Sequence, residues 1–312
     1  MASPFLGVTV DLGRYRFSSE GIRYLIDLAK PRPCGNATQR SRALNVAQCV
    51  CVSLRFFATG TYLHAVGDAE CVGKNMVCGA ICKVVAVLNI LLNMFVTFPS
   101  FLPSQIHQCA GKKCRFQMTC DHQVMVTSVD AKWPGSVHDS CIFRESSLCR
   151  LFQQGRYDGI LVGDRGYACM PFLMTPYGDP QSESEARFNR ALNTCRVRIE
   201  MTFGVIKARW NCLRGLRVKP ERGSQIITAC VVLHNIATIR KERAPHVPLV
   251  ADEVVDPITV DHPTGTAVRR AIANQFFGCF FLFHLVSLLE GCVCFFSFFR
   301  AGQVNALITQ FI

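Results

Sequence analysis

The hydrophobic period of this chain changes between Phe98 and Phe116. Before the change, apolar residues recur at helical spacing. Phe17 to Leu28, Val46 to Thr59, Thr61 to Asp68 and Lys74 to about Phe95 each read as a helix. Ser18 and Ser19 suit the first cap, Pro31 and Pro33 close that helix, and Gly60 breaks the second. After the change, β-rich runs appear at Phe116 to Cys120 and Val124 to Val129, around a polar Asp121-His122-Gln123 turn. Tyr157 to Gly163 is nearly all apolar, as a buried central strand would be. Helices return at 187–210 and 224–239. The pattern predicts an all-helical region with a helix-turn-helix rhythm over 1–98, then an α/β domain over 116–243. A linker and terminal helix follow over 244–275, then an apolar tail over 276–312.

The tail is unusual. Phe276 to Phe299 holds nine phenylalanines and a single charged residue, Glu290. Its length suits a membrane anchor, a buried terminal segment, or translated non-coding sequence joined to the gene. Heavy use of Phe and Cys favours the last. The N-terminus lacks the basic and apolar pattern of a secretory signal. The 18 cysteines show no zinc-finger spacing. They are expected to be reduced, mostly buried and intracellular.

Lys and Arg outnumber Asp and Glu by 34 to 22, a formal charge of +12, which favours a polyanionic partner. The excess concentrates at residues 187–222, where ten Lys or Arg accompany two acids. Arg196, Arg198, Lys207 and Arg209 flank Glu200 there and are candidate phosphate-backbone contacts. Ile199, Phe203, Ile206 and Trp210 recur at i, i+4, i+7 and i+11 and mark the core face of that helix. Glu200 stands off the stripe.

Thirty-five residues separate Glu200 from Asp164, which ends the apolar run Gly159-Ile-Leu-Val-Gly-Asp164. A strand ending in one carboxylate, followed by a helix presenting another, can place two acids on a shared divalent cation. Taken singly, each residue has a plainer reading. Asp164 could cap a turn, Glu200 could be a solvated helix acid bridged to Arg196, and Asp139 could be a helix N-cap.

Four segments occur together: Pro134-Gly-Ser-Val-His138-Asp139-Ser140, Gly163-Asp164-Arg-Gly-Tyr167, Arg198-Ile-Glu200-Met-Thr-Phe-Gly204 and Leu233-His234-Asn235. In this order and spacing they resemble the DDE transposase domain of the PIF/Harbinger superfamily and the domesticated nucleases derived from it. The resemblance covers roughly residues 15–100 and 116–240. It implies an RNase H-like fold and a metal-dependent nuclease acting on DNA phosphodiesters, with Mg²⁺ or Mn²⁺ as cofactor. It assigns Asp164 and Glu200 as the second and third catalytic acids and metal ligands, with Asp139 as a further ligand. A nuclear protein, present also in the cytoplasm, is expected. A Myb-like DNA-binding partner is implied as well, with neither a small-molecule substrate nor a membrane.

One part of the pattern is missing. The family's first acid lies on an earlier strand of the Ile-Asp-x-Thr type. Here only Ser100 to Arg115 lie between Phe98-Pro99 and Phe116, with no Asp or Glu among them. Asp121 and Asp130 occupy different strand positions. The expected domain therefore lacks its first strand and first acid, and its catalysis is expected to be impaired. A non-catalytic DNA-binding or interaction module is the rival reading.

Overall fold

A computed structural model describes residues 12–32, 43–98, 114–121, 123–134, 137–157, 160–245 and 260–278. The linker at 246–259 and the tail beyond Gly278 lie outside the described residues, as does the segment 99–113.

The N-terminal third is helical. A short α1 (Leu12–Tyr15) leads into α2 (Ser19–Ala29), which is capped by the Ser18 hydroxyl accepting from the Gly21 amide. In α3 (Val46–Thr59), Asn45 and Gln48 form a reciprocal capping box. The helix ends at Gly60, whose φ is +67° and whose Cβ, if present, would lie 2.9 Å from the Cys212 backbone. Both facts require glycine. Next come α4 (Leu63–Ala69) and α5 (Lys74–Ile90), with the axis turning by 102° between them. The long helix expected as far as Phe95 breaks at Leu91, and α6 (Leu92–Phe95) completes it. Among the described residues, no single helix is long and apolar enough to cross a membrane.

Two strands follow. β1 (Cys114–Cys120) and β2 (Val126–Pro134) form an antiparallel hairpin. After α7 (Asp139–Glu145) and α8 (Ser147–Gln153), β3 (Leu161–Val162) pairs in parallel with β4 (Leu173–Met174). The chain continues through the 27-residue α9 (Glu183–Arg209), a 3-10 turn (Asn211–Arg214) and α10 (Pro220–Ile239), and α11 (Pro263–Phe277) then packs on α9.

Helix α10 is the centre of the molecule. It is apolar nearly all round, and Val231, Val232, Leu233 and Ile236 are buried. Helix α5 and the hairpin both pack against it, and α3 packs on α5. The N-terminal helices and the hairpin therefore contribute to one hydrophobic core.

Of the expected buried strand at 157–163, the described residues show Leu161 and Val162 paired. Tyr157 joins an aromatic cluster with Phe98 and Phe152 instead. Among the described residues, the strands form two separate pairs rather than one continuous sheet. A strand with a neighbour on one side only has little to extend it.

The hairpin turn is held from outside. Val124 has φ +64°, a strained conformation for a β-branched residue. The Asp121 carboxylate accepts from the Gln123 and Met125 amides at 2.8 and 2.9 Å. His234 on α10 donates through Nε2 to the Val124 carbonyl at 2.8 Å. Asp121 is thus a turn residue.

Burial holds the His234 imidazole at about 4, well below the ordinary histidine value, so it is neutral in the fold. Because the folded value lies below the unfolded one, the unfolded chain takes up the proton first as pH falls. The stability tied to His234 is complete above about pH 6.5 and is lost as pH drops towards 4, by about 3 kcal/mol at most. Urea midpoints measured from pH 7 to pH 4.5 should fall accordingly, and His234→Gln should flatten that fall. An unchanged slope in the variant would refute this account.

Candidate functional site

Strand β3 delivers its chain to the segment Gly163-Asp164-Arg165-Gly166-Tyr167. Gly163 is closely packed, since a Cβ there would lie 3.1 Å from the Tyr167 ring and 3.2 Å from the Leu173 side chain. The Asp164 Oδ1 accepts from the Gly166 amide at 2.8 Å, which closes a tight turn. The Tyr167 hydroxyl accepts from Gln117 on β1 at 2.6 Å and ties this loop to the hairpin. One carboxylate oxygen thus fixes the backbone, while Oδ2 faces α9.

Helix α9 begins with the Ser182 hydroxyl accepting from the Glu185 amide and runs past the loop. Arg196 and Glu200 lie one turn apart on one face of it. The Arg196 Nη2 stands 3.2 Å from Glu200 Oε1 and 3.9 Å from Asp164 Oδ2. The two carboxylates, 35 residues apart in sequence, thus meet on a single guanidinium. All three groups are partly buried, Arg196 most of all, with 17 % of its side chain exposed against 25 % for Glu200 and 38 % for Asp164.

The structure places the other expected residues unevenly. Asp139 is the first residue of α7, and its side chain lies outside what is described. Among the described residues, no group of three Asp, Glu, His or Cys side chains comes together. Lys207 is exposed on the Arg196–Glu200 face, close to three turns beyond Arg196, and its ammonium lies over the Phe203 ring. Arg198 and Arg209 point the other way. Arg198 is half-buried near the Cys120 thiol of β1.

Arg209 corrects the sequence expectation of a phosphate contact. It is 2 % exposed and donates to the Arg16 carbonyl. Burial lowers its pKa to about 10, and the nearby Glu242 carboxylate opposes that shift. It is a core cation, and its eleven-residue spacing from Arg198 on α9 could have signalled an inward face.

Exposed cations occur along the whole of the described chain, and a group of them follows α9. Arg214, Arg217 and Lys219 are exposed in the stretch leading into α10. Arg217 lies over the ring of Tyr62, itself 62 % exposed, and the Tyr62 and His64 rings stack at 6.0 Å. Sequence reasoning counted these arginines but not Tyr62, because nothing local ties residue 62 to residue 217.

Residues 104–235 match the family model of the DDE superfamily endonucleases. The chain is also homologous to Harbinger transposase-derived proteins. The human protein "Putative nuclease HARBI1" is 28 % identical over 268 residues, covering 72 % of this chain and 76 % of that protein. The frog relative of the same name, from Xenopus laevis, is 25 % identical over the same shares. The Arabidopsis thaliana "Protein ALP1-like" is 30 % identical over 176 residues, covering 50 % of this chain and 42 % of that one. No solved structure matches the chain.

As they stand, the carboxylates are poorly suited to a divalent ion. Mg²⁺ demands near-octahedral oxygen ligation. Here one Asp164 oxygen serves its own turn, and a guanidinium lies against the second oxygen and against Glu200.

Proposed function

We propose that the chain is a Harbinger-derived, metal-dependent nuclease acting on DNA phosphodiesters, with an RNase H-like ancestry and impaired catalysis. The observation that carries this reading is the meeting of Asp164 and Glu200 across the β3 loop and α9. In the family pattern these two residues are the second and third acids, and the strand that would bear the first is missing from the sequence. Phosphate would be held by Lys207 on the acid-bearing face and by Arg214, Arg217 and Lys219 beyond it. A Myb-like DNA-binding protein as partner and a nuclear location belong to the same proposal. So does a division into a helical region over 1–98 and a nuclease domain over 116–243.

A second reading has its own support. The Arg196 guanidinium against both carboxylates favours a module that binds DNA without cutting it. Nicking of supercoiled plasmid in Mg²⁺ or Mn²⁺ separates the two. Weak nicking is expected from the wild type, lower by orders of magnitude than a three-acid site would give. Asp164→Ala and Glu200→Ala should abolish it and leave DNA binding intact. Equal nicking by all three proteins would sink the enzymatic reading, and binding without nicking in the wild type would establish the second.

A further inference from the structure

The Arg196 side chain stands where two carboxylates converge, and three observations define what it does there. Its Nη2 is 3.2 Å from Glu200 and 3.9 Å from Asp164, so one cation serves two anions. It sits one helical turn before Glu200, so the backbone of α9 delivers both groups together and the contact needs no rearrangement of the chain. It is also the least exposed of the three, so its charge acts in a partly desolvated setting where it counts for more than on an open surface. No third acid joins the pair among the described residues.

We infer that Arg196 is the resident counter-cation of the Asp164–Glu200 pair, and that a divalent ion binds there only when the Arg196 side chain is displaced. The inference rests on reading Asp164 and Glu200 as descendants of metal ligands. It adds that a covalently tethered cation now takes the ion's place. A guanidinium is permanently charged and cannot be titrated away, so metal must compete with it directly. Arg196 then contributes to folding what a metal contributes elsewhere, while withholding the Lewis acidity that phosphodiester cleavage needs.

The test is a titration of the full chain with Mn²⁺, without DNA, followed by paramagnetic resonance of the free ion and by thermal melting. The wild type should bind no Mn²⁺ saturably below about 1 mM, and EDTA should leave its melting temperature unchanged. Arg196→Gln should gain a site at least about tenfold tighter, since a like charge has left the pocket, and Mn²⁺ should raise its melting temperature. The gained site should vanish in the double variant with Asp164→Asn. Arg196→Met keeps the aliphatic stem and repeats the test if the glutamine variant folds poorly. Two results would overturn the inference: a wild-type site filled below about 100 μM and lost in Asp164→Asn, or equal Mn²⁺ affinity with and without Arg196. Neither result depends on cleavage, so an absence of nicking bears only on the nuclease reading.

Discussion

Asn235→Ala is expected to cost about 3–5 kcal/mol of stability, measured as a fall in urea midpoint with little change in slope. Asn235 is fully buried on α10. Its Oδ1 accepts from the Val126 amide at 2.9 Å, and its Nδ2 donates to the Val126 and Phe95 carbonyls, both at 2.7 Å. One side chain thus completes the start of β2 and the end of α6 at once. Alanine would leave the two Val126 groups buried and the Phe95 carbonyl part-buried without this partner, and each buried loss costs about 1–3 kcal/mol. Asn235→Asp should be about as damaging, because a buried carboxylate cannot donate to the two carbonyls. A loss under about 1 kcal/mol in the alanine variant would mean that water replaces the amide.

The second large effect is expected at Trp210. Its side chain is fully buried at the end of α9, stacked on Phe17 at 6.1 Å and edge-on to Phe57 at 6.3 Å. These partners belong to the start of α2 and to α3, so Trp210 fastens the acid-bearing helix to the N-terminal helices. Trp210→Ala should lose about 3–5 kcal/mol, as truncation of a large buried aromatic does. The loss should appear in a single transition, because the N-terminal helices and the hairpin share α10 as their core. Two separated transitions, with only the first shifted, would show that the helical region unfolds on its own.

Much of the helical framework is legible in the sequence. Val46–Thr59 carries its own stop at Gly60, and the structure keeps those bounds. The apolar stripe Ile199, Phe203, Ile206, Trp210 leads to a buried Ile206 and Trp210. Strand lengths are less legible. An apolar run at 157–163 looks like a strand, but whether it extends as one depends on a neighbour elsewhere in the chain. Its aromatic Tyr157 finds other aromatics instead.

Motif order singles out Asp164 and Glu200, and the structure brings their side chains to one guanidinium. The role of Arg196 as a cation shared between them is not legible in the sequence, since i,i+4 spacing connects it to Glu200 alone. Arg209 was misjudged for a related reason. Counting charge along a helix says nothing about which face carries it, and Glu242, the acid near Arg209, lies 33 positions downstream. The Leu-His-Asn segment was recognisable as a signature, yet its work on the hairpin turn required coordinates.

The two strand pairs have a consequence for motion. Among the described residues they share no backbone hydrogen bond. The β3–β4 pair, with two residues in each strand, is linked to the hairpin through Gln117 and Tyr167 and to α9 through Arg196. Small, weakly bonded units open at lower free energy than the core around them. Asp164 therefore rides on a loop tied to the hairpin and to α9 by side-chain contacts, and Glu200 on a long helix pinned at Trp210. The distance between the carboxylates is therefore set by side-chain contacts between separate elements, not by a shared sheet ladder.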